Sequence, residues 1–207
     1  MPSARPRPPA PVPEDVDTTR TLAFVNTLSS RPTAAPVERL ISYDTLLEWA
    51  REAGVLRPDD VERLSARGRR RIDDAARILQ RARDLRERLH DTFTATSAGR
   101  MPSGATLDAL SAELSRWYPH GRLVPDADRL QWAYDGVDDL DRPLWEIARA
   151  AARLVTSASV MRIRACAADD CGWWFLDDTK NGSRRWCDMK ICGNRDKVRR
   201  FRARQRE

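Results

Sequence analysis

The chain has 207 residues, 41% of them apolar and 33% charged, enough for one medium domain plus a small module and too apolar for a chain disordered throughout. Its formal charge of +6 is unevenly placed: residues 1–160 hold 24 Arg against 24 Asp or Glu, and residues 161–207 hold 13 basic against 7 acidic side chains. No stretch approaches the roughly 18 uninterrupted apolar residues of a membrane span and no secretory signal opens the chain, so the expectation is a cytoplasmic protein with no membrane partner.

Residues 1–18 hold six of the thirteen prolines and are expected to form a disordered arm. Leu22–Leu28 is a short apolar segment that suits either a strand or the first turn of a helix. Ser42 is an N-cap candidate, and Leu46, Leu47, Trp49, Ala50 and Ala53 follow at helical spacing until Gly54 stops the helix. Pro58 begins a short helix through Val61 and Leu64. The longest periodic segment runs from about residue 70 to 96, with Ile72, Ala75, Ala76, Leu79, Ala82, Leu85, Leu89 and Phe93 on one stripe, and Gly99 ends it.

A further helix from about Thr106 groups Leu107, Leu110, Leu114 and Trp117. The period then changes. Leu130, Trp132 and Tyr134 alternate with Gln131 and Ala133, and Leu123-Val124 precede a turn-like Pro125–Asp128, which predicts a two-stranded hairpin. Leu144, Ile147, Ala148, Ala151, Leu154 and Val155 return to helical spacing. The fold class expected is therefore α+β, a mostly helical domain over residues 19–160 with a small sheet. His90 reads as a packing or solvated side chain, Asp73-Asp74 and Asp138-Asp139 as helix starts and solvated faces. No catalytic triad, phosphate loop or dinucleotide fingerprint occurs, so no enzymatic role is expected.

All four cysteines fall in residues 161–207, as Cys166-x4-Cys171 and Cys187-x4-Cys192. In a reducing compartment paired cysteines bind metal rather than form disulfides, and four thiols suit one tetrahedral structural Zn²⁺. Four thiolate ligands leave no open position for an activated water. Between the pairs, Trp173–Leu176 and Ser183–Trp186 read as two strands joined by a tight turn at Asn181-Gly182, followed by a helix from Cys192. A cysteine-bearing turn, a hairpin delivering the third ligand and a helix delivering the fourth form a treble-clef zinc finger. Gly172 and Gly193 beside the ligands suit close backbone approach or positive φ. Trp173, Trp174 and Trp186 read mainly as core.

On the last helix Val198 and Phe201 share one side, expected to cover the hairpin, and Arg195, Arg199, Arg202 and Arg206 share another. Lys197, Arg200 and Arg204 widen the cationic surface, and Arg184 and Arg185 add to it from the hairpin. Such a surface suits a phosphate backbone. A solvated terminal helix, an adaptor docking an acidic protein around a purely structural zinc module, and an RNA-binding protein are the alternatives.

Cys171–Asp177, Asn181–Cys187 and Cys192–Val198 resemble the CGNR zinc finger, and Phe24–Leu28 resembles the start of the ABATE domain that precedes it. The resemblance implies a bacterial, stress-related transcriptional regulator with Cys166, Cys171, Cys187 and Cys192 as zinc ligands. It also implies double-stranded DNA as partner of the basic residues after Cys192, and an N-terminal domain that senses a small-molecule effector or mediates interactions. Asp188 and Lys190 depart from the smaller or neutral residues expected between the last two ligands. A homodimer suits a regulator of paired half-sites, although no dimer seam is visible.

Overall fold

The computed structural model describes residues 16–127, 129–134 and 139–205; the arm up to residue 15, Asp128, Asp138 and Arg206 lie outside the described residues. Among the described residues seven α-helices and three two-stranded antiparallel sheets follow the order α1 (Val16–Val25), β1 (Leu28–Ser29), β2 (Val37–Glu38), α2 (Tyr43–Glu52), α3 (Pro58–Arg70), α4 (Ile72–Ser97), α5 (Gly104–Leu114), β3 (Gly121–Asp126), β4 (Arg129–Tyr134), α6 (Arg142–Thr156), β5 (Ile163–Ala165), β6 (Trp174–Leu176) and α7 (Asn194–Arg204). This is the α+β class expected. None of these helices is long and apolar enough to cross a membrane.

The segment the sequence left undecided, Leu22–Leu28, divides: Leu22–Val25 forms the last turn of α1 rather than a first turn, and Leu28 opens β1. Residues 16–18, expected in the arm, open that helix. Asp17 is buried because its carboxylate receives Arg149 at 2.9 Å and Arg153 at 2.7 Å, both from α6. Helix α2 starts where expected, since Ser42 accepts from the Thr45 N–H while Thr45 accepts from the Ser42 N–H, a reciprocal cap. It ends at Gly54, φ +65°, whose carbonyl receives the Arg20 guanidinium.

Helix α3 is longer than its apolar residues suggested, running to Arg70. Gly68 within it lets the Tyr43 ring of α2 approach; a Cβ there would lie 2.9 Å from that ring. Ile72 and Ala76, assigned to the buried stripe of α4, are exposed in its first turns, where no described helix covers that side, while Ala75, Leu79, Ala82, Leu85, Leu89 and Phe93 are buried as expected. Only Leu110 of the next predicted group is buried, because α5 stops at Leu114 and a 3₁₀ segment, Ser115–His120, turns Trp117 toward the hairpin. The β3–β4 hairpin pairs Gly121 with Tyr134 through Asp126 with Arg129, and Trp132 meets Trp117 edge-on at 5.2 Å.

Helix α4, 26 residues or roughly 39 Å long, is the spine on which α1, α2, α3, α5 and β5 pack. Helix α6 is buried along most of its surface, including Trp145, because α1, α5 and the 3₁₀ segment cover it. Strands β5 and β6 complete this core: Ile163, Trp174 and Leu176 share one apolar cluster with Phe24, Leu85 and Phe93. Trp174 meets Phe93 and His90 edge-on at 5.8 and 5.7 Å. Burial, aided by the charge of Arg31, lowers the pKa of His90, which fits a neutral packing imidazole.

Asn26, just past the end of α1, fixes β6 by its backbone. Its Nδ2 donates to the Trp174 carbonyl at 2.9 Å and its Oδ1 accepts from the Trp174 N–H at 2.8 Å, so one amide side chain substitutes for a neighbouring strand. The Asn26→Ala variant leaves both Trp174 groups unpaired and should lower the unfolding free energy by about 1–3 kcal/mol. Urea unfolding followed by tryptophan fluorescence reads that loss.

Candidate metal centre and basic helix

Four sulfurs meet at the edge of this core. Cys166 follows β5 and extends the ladder by donating its N–H to the Trp173 carbonyl at 2.8 Å. The chain then turns through Ala167–Asp170 and returns at Cys171, whose N–H bonds Ala168. Gly172 has φ +69°, and a Cβ on it would lie 2.8 Å from Pro32, so glycine answers both the conformation and the close approach expected there. Gly193, by contrast, is not among the positive-φ glycines; it packs against Met189.

The loop that presses on this turn is anchored by charge. The Ser30 N–H donates to the Cys171 carbonyl at 2.9 Å, and Arg31 forks onto Glu87. Glu87 also accepts from Arg86, which is 3% exposed and forks onto Glu38 at 2.6 Å. Burial opposes ionisation of Glu38 and Glu87, yet the arginines outweigh it and hold both carboxyls below their usual range.

The expected second strand is absent among the described residues. Ser183–Trp186 carries no ladder, and β6 pairs with β5 instead. The reason is side-chain competition for its backbone. Asp177, 1% exposed, accepts from Thr179 and from the Arg184 N–H, and the Thr179 hydroxyl accepts from the Ser183 N–H. The turn at Asn181-Gly182 does form, with Gly182 at φ +62°. Arg184 lies over the Phe175 ring and donates to the carbonyls of Leu176, Trp186 and Cys187.

Cys187 nevertheless reaches the cluster, its N–H directed at the Cys166 sulfur at 3.5 Å. A π-helical turn, Met189–Gly193, then delivers Cys192. Asp188, which departs from the smaller or neutral residue expected there, caps that turn by accepting from the N–H groups of Lys190 and Ile191 at 2.7 and 3.0 Å. Capping explains its acidic side chain.

The four Sγ atoms lie within 4.8 Å of one another, with Cys171–Cys187 and Cys187–Cys192 each at 3.6 Å. Disulfide bonding needs about 2.05 Å, whereas a tetrahedral Zn²⁺ with bonds of about 2.3 Å places its sulfurs about 3.8 Å apart. The donor set and spacing therefore fit one structural zinc. Phe175, Trp173 and Trp186 pack around the sulfurs, so the tryptophans serve as core, Trp174 in the larger cluster and the other two here.

Without metal the thiols resist joint ionisation. Burial pushes Cys171 up to about 11 and Cys187 further upward, while the N–H groups of Cys187 and Ala168 overcome burial to lower Cys166. Zn²⁺ reverses this by stabilising every thiolate, leaving a site of formal charge −2 for four thiolates. Arg195 stands beside that charge, donating to the Cys192 sulfur at 3.2 Å and to Asp170 at 2.9 Å.

Helix α7 lies otherwise than its sequence suggested. Arg199 binds Asp169 of the cysteine turn and Asp196 of its own helix, and Arg200 binds Asp196. The Asp196 side chain is 11% exposed and faces inward. Val198 and Phe201, expected to cover a hairpin, are exposed at 47% and 61%. The acidic pair Asp169-Asp170 attracts the arginine side of the helix and turns the apolar side out. Lys197, Arg202 and Arg204 are exposed and make no ion pair among the described residues, and Arg185 stacks on Trp186.

Family models match both parts of the chain. The CGNR zinc finger model covers residues 162–205, and the ABATE model, described as a "putative stress-induced transcription regulator", covers residues 19–158. The chain belongs to the ABATE family. A search of curated proteins found no match.

The ABATE chain should bind one Zn²⁺ with release of protons near pH 7, because thiols of raised pKa still carry them there. Apparent zinc affinity should fall as pH drops from about 8 to about 6. Metal titration in a weakly buffered indicator checks both, and Cys187→Ser should weaken binding and lower the proton yield.

Proposed function

We propose that this ABATE protein is a zinc-dependent, DNA-binding transcription regulator, with α7 as its nucleic-acid element in a treble-clef module. The observation that carries the reading is the placement of exposed cations on an anchored helix. Lys197, Arg200, Arg202 and Arg204 stand along the exposed surface of α7. Its base is tied to the sulfurs through Cys192 and to the cysteine turn through Arg195–Asp170 and Arg199–Asp169.

Cations presented this way release condensed counterions from a phosphate backbone. Zinc contributes orientation: it joins the Cys166–Cys171 turn to the π-helical turn, so that α7 meets DNA as a rigid extension of the core. Arg185 extends the cationic surface, and Arg195 and Arg199 stand at its near end. Arg184, spent on three carbonyls and a ring, belongs to the scaffold.

In this reading residues 19–160 are the sensing or interaction domain of a cytoplasmic, stress-responsive regulator. A half-open cavity of about 280 Å³ beside Asn26, Arg39, Trp49 and Trp173 offers an effector room next to the residue that clamps β6.

The expected behaviour is duplex binding that weakens steeply with salt. In a Lys197→Ala, Arg202→Ala, Arg204→Ala variant the slope of log K against log salt should be shallower by about 0.9 for each phosphate no longer neutralised. Fluorescence anisotropy on a mixed-sequence duplex measures it, with zinc content as the folding control. Binding by the variant equal to that of the parent would remove α7 from the mechanism.

A further inference from the structure

We infer that Val198 and Phe201 read thymine methyl groups on the floor of the DNA major groove. The inference rests on the DNA-binding reading and deepens it by naming the base feature that α7 recognises.

At about 100° per residue, Val198 and Phe201 lie about 60° apart and form the middle of one line along α7, with Asn194 and Gln205, both exposed, at its two ends. Asp196 lies close to diametrically opposite, and its side chain is only 11% exposed. The line through Val198 and Phe201 thus faces away from Asp196 and is exposed, at 47% and 61%. Lys197 and Arg204 lie about 70–90° to one side of it, and Arg202 and Arg195 about 70–90° to the other. At the level of Val198 and Phe201 the cross-section reads cation, apolar crest, cation.

A B-form major groove has the complementary section. It is about 12 Å wide, admits a helix, is walled by two phosphate strands, and carries on its floor the thymine C5-methyl as its apolar feature. Asn194, whose Nδ2 is turned to the Lys190 carbonyl at 2.9 Å, and Gln205 stand at the ends of the line; between them Val198 and Phe201 lack hydrogen-bonding groups and suit the methyl rather than the guanine or adenine edges that Arg or Asn reads.

Among the described residues neither of these large apolar side chains is buried. The flanking cations make them a poor site for a neutral apolar partner and a good one for an apolar strip between two anionic rails.

The test compares two preparations of one random-sequence duplex pool, copied with thymidine or with deoxyuridine triphosphate, which differ only in the C5-methyl. The full-length zinc-loaded protein should bind the thymine pool more tightly, by about three- to fourfold for each methyl buried. A Val198→Ala, Phe201→Ala variant, whose changes fall on exposed positions, should bind both pools alike while keeping its salt dependence.

Equal affinity of the parent protein for the two pools, or a methyl preference that survives in the variant, would overturn the inference and leave the DNA-binding reading standing. Absence of duplex binding would overturn both. Self-association of the parent that disappears in the variant on sedimentation, without methyl preference, would assign the crest to a second copy of the chain and overturn the inference likewise.

Discussion

The backbone of Trp174 is the point on which the architecture turns. Its N–H and carbonyl both go to Asn26, and its ring sits in the core against Phe93 and His90. That fixes β6 in position and register with β5. The cysteine turn connecting these strands is then fixed at both ends, and its tip carries Asp169 and Asp170 toward α7. Each step is a short-range constraint, yet together they orient a helix whose far end, Arg204, lies 30 residues beyond the tryptophan.

Stability is distributed unequally along the C-terminal segment. Residues 163–176 draw on the apolar core through Ile163, Trp174 and Leu176. Beyond them the chain has little apolar burial of its own. It depends on the buried side chains of Arg162 and Asp177, which satisfy the backbone of Asp177–Arg184, and on the metal that joins Cys187 and Cys192 to the preceding turn. A segment held this way can take an irregular path, because side chains and a cation supply the partners that a sheet would otherwise provide.

Much of this was legible in the sequence wherever a local rule dominates. Ser42 and Gly54 bound α2 because capping and positive φ are properties of one or two residues. The cysteines converge because metal spacing is local too. What escaped depends on distant partners. Ser183–Trp186 looks like a strand, and only the buried carboxylate of Asp177 shows why its N–H groups are diverted. The exposed crest of α7 was assigned inward on periodicity, which ranks faces by polarity and contains nothing about Asp169-Asp170 waiting for arginines. Asn26 lies in the stretch that resembles the start of the ABATE domain, yet nothing local to it foretells a clamp on Trp174, since a helix ending in asparagine is ordinary.

Because β6 belongs at once to the helical core and to the strand pair that carries the cysteine turn, the finger is not a cassette. Separating the chain near residue 160 would strip Ile163, Trp174 and Leu176 of the helices that cover them, and would leave Phe93 and Phe24 facing water on the other piece. The finger and the helical domain share one core across β6, so neither piece keeps its apolar surface covered without the other, and Lys197, Arg202 and Arg204 on α7 can change without touching that junction.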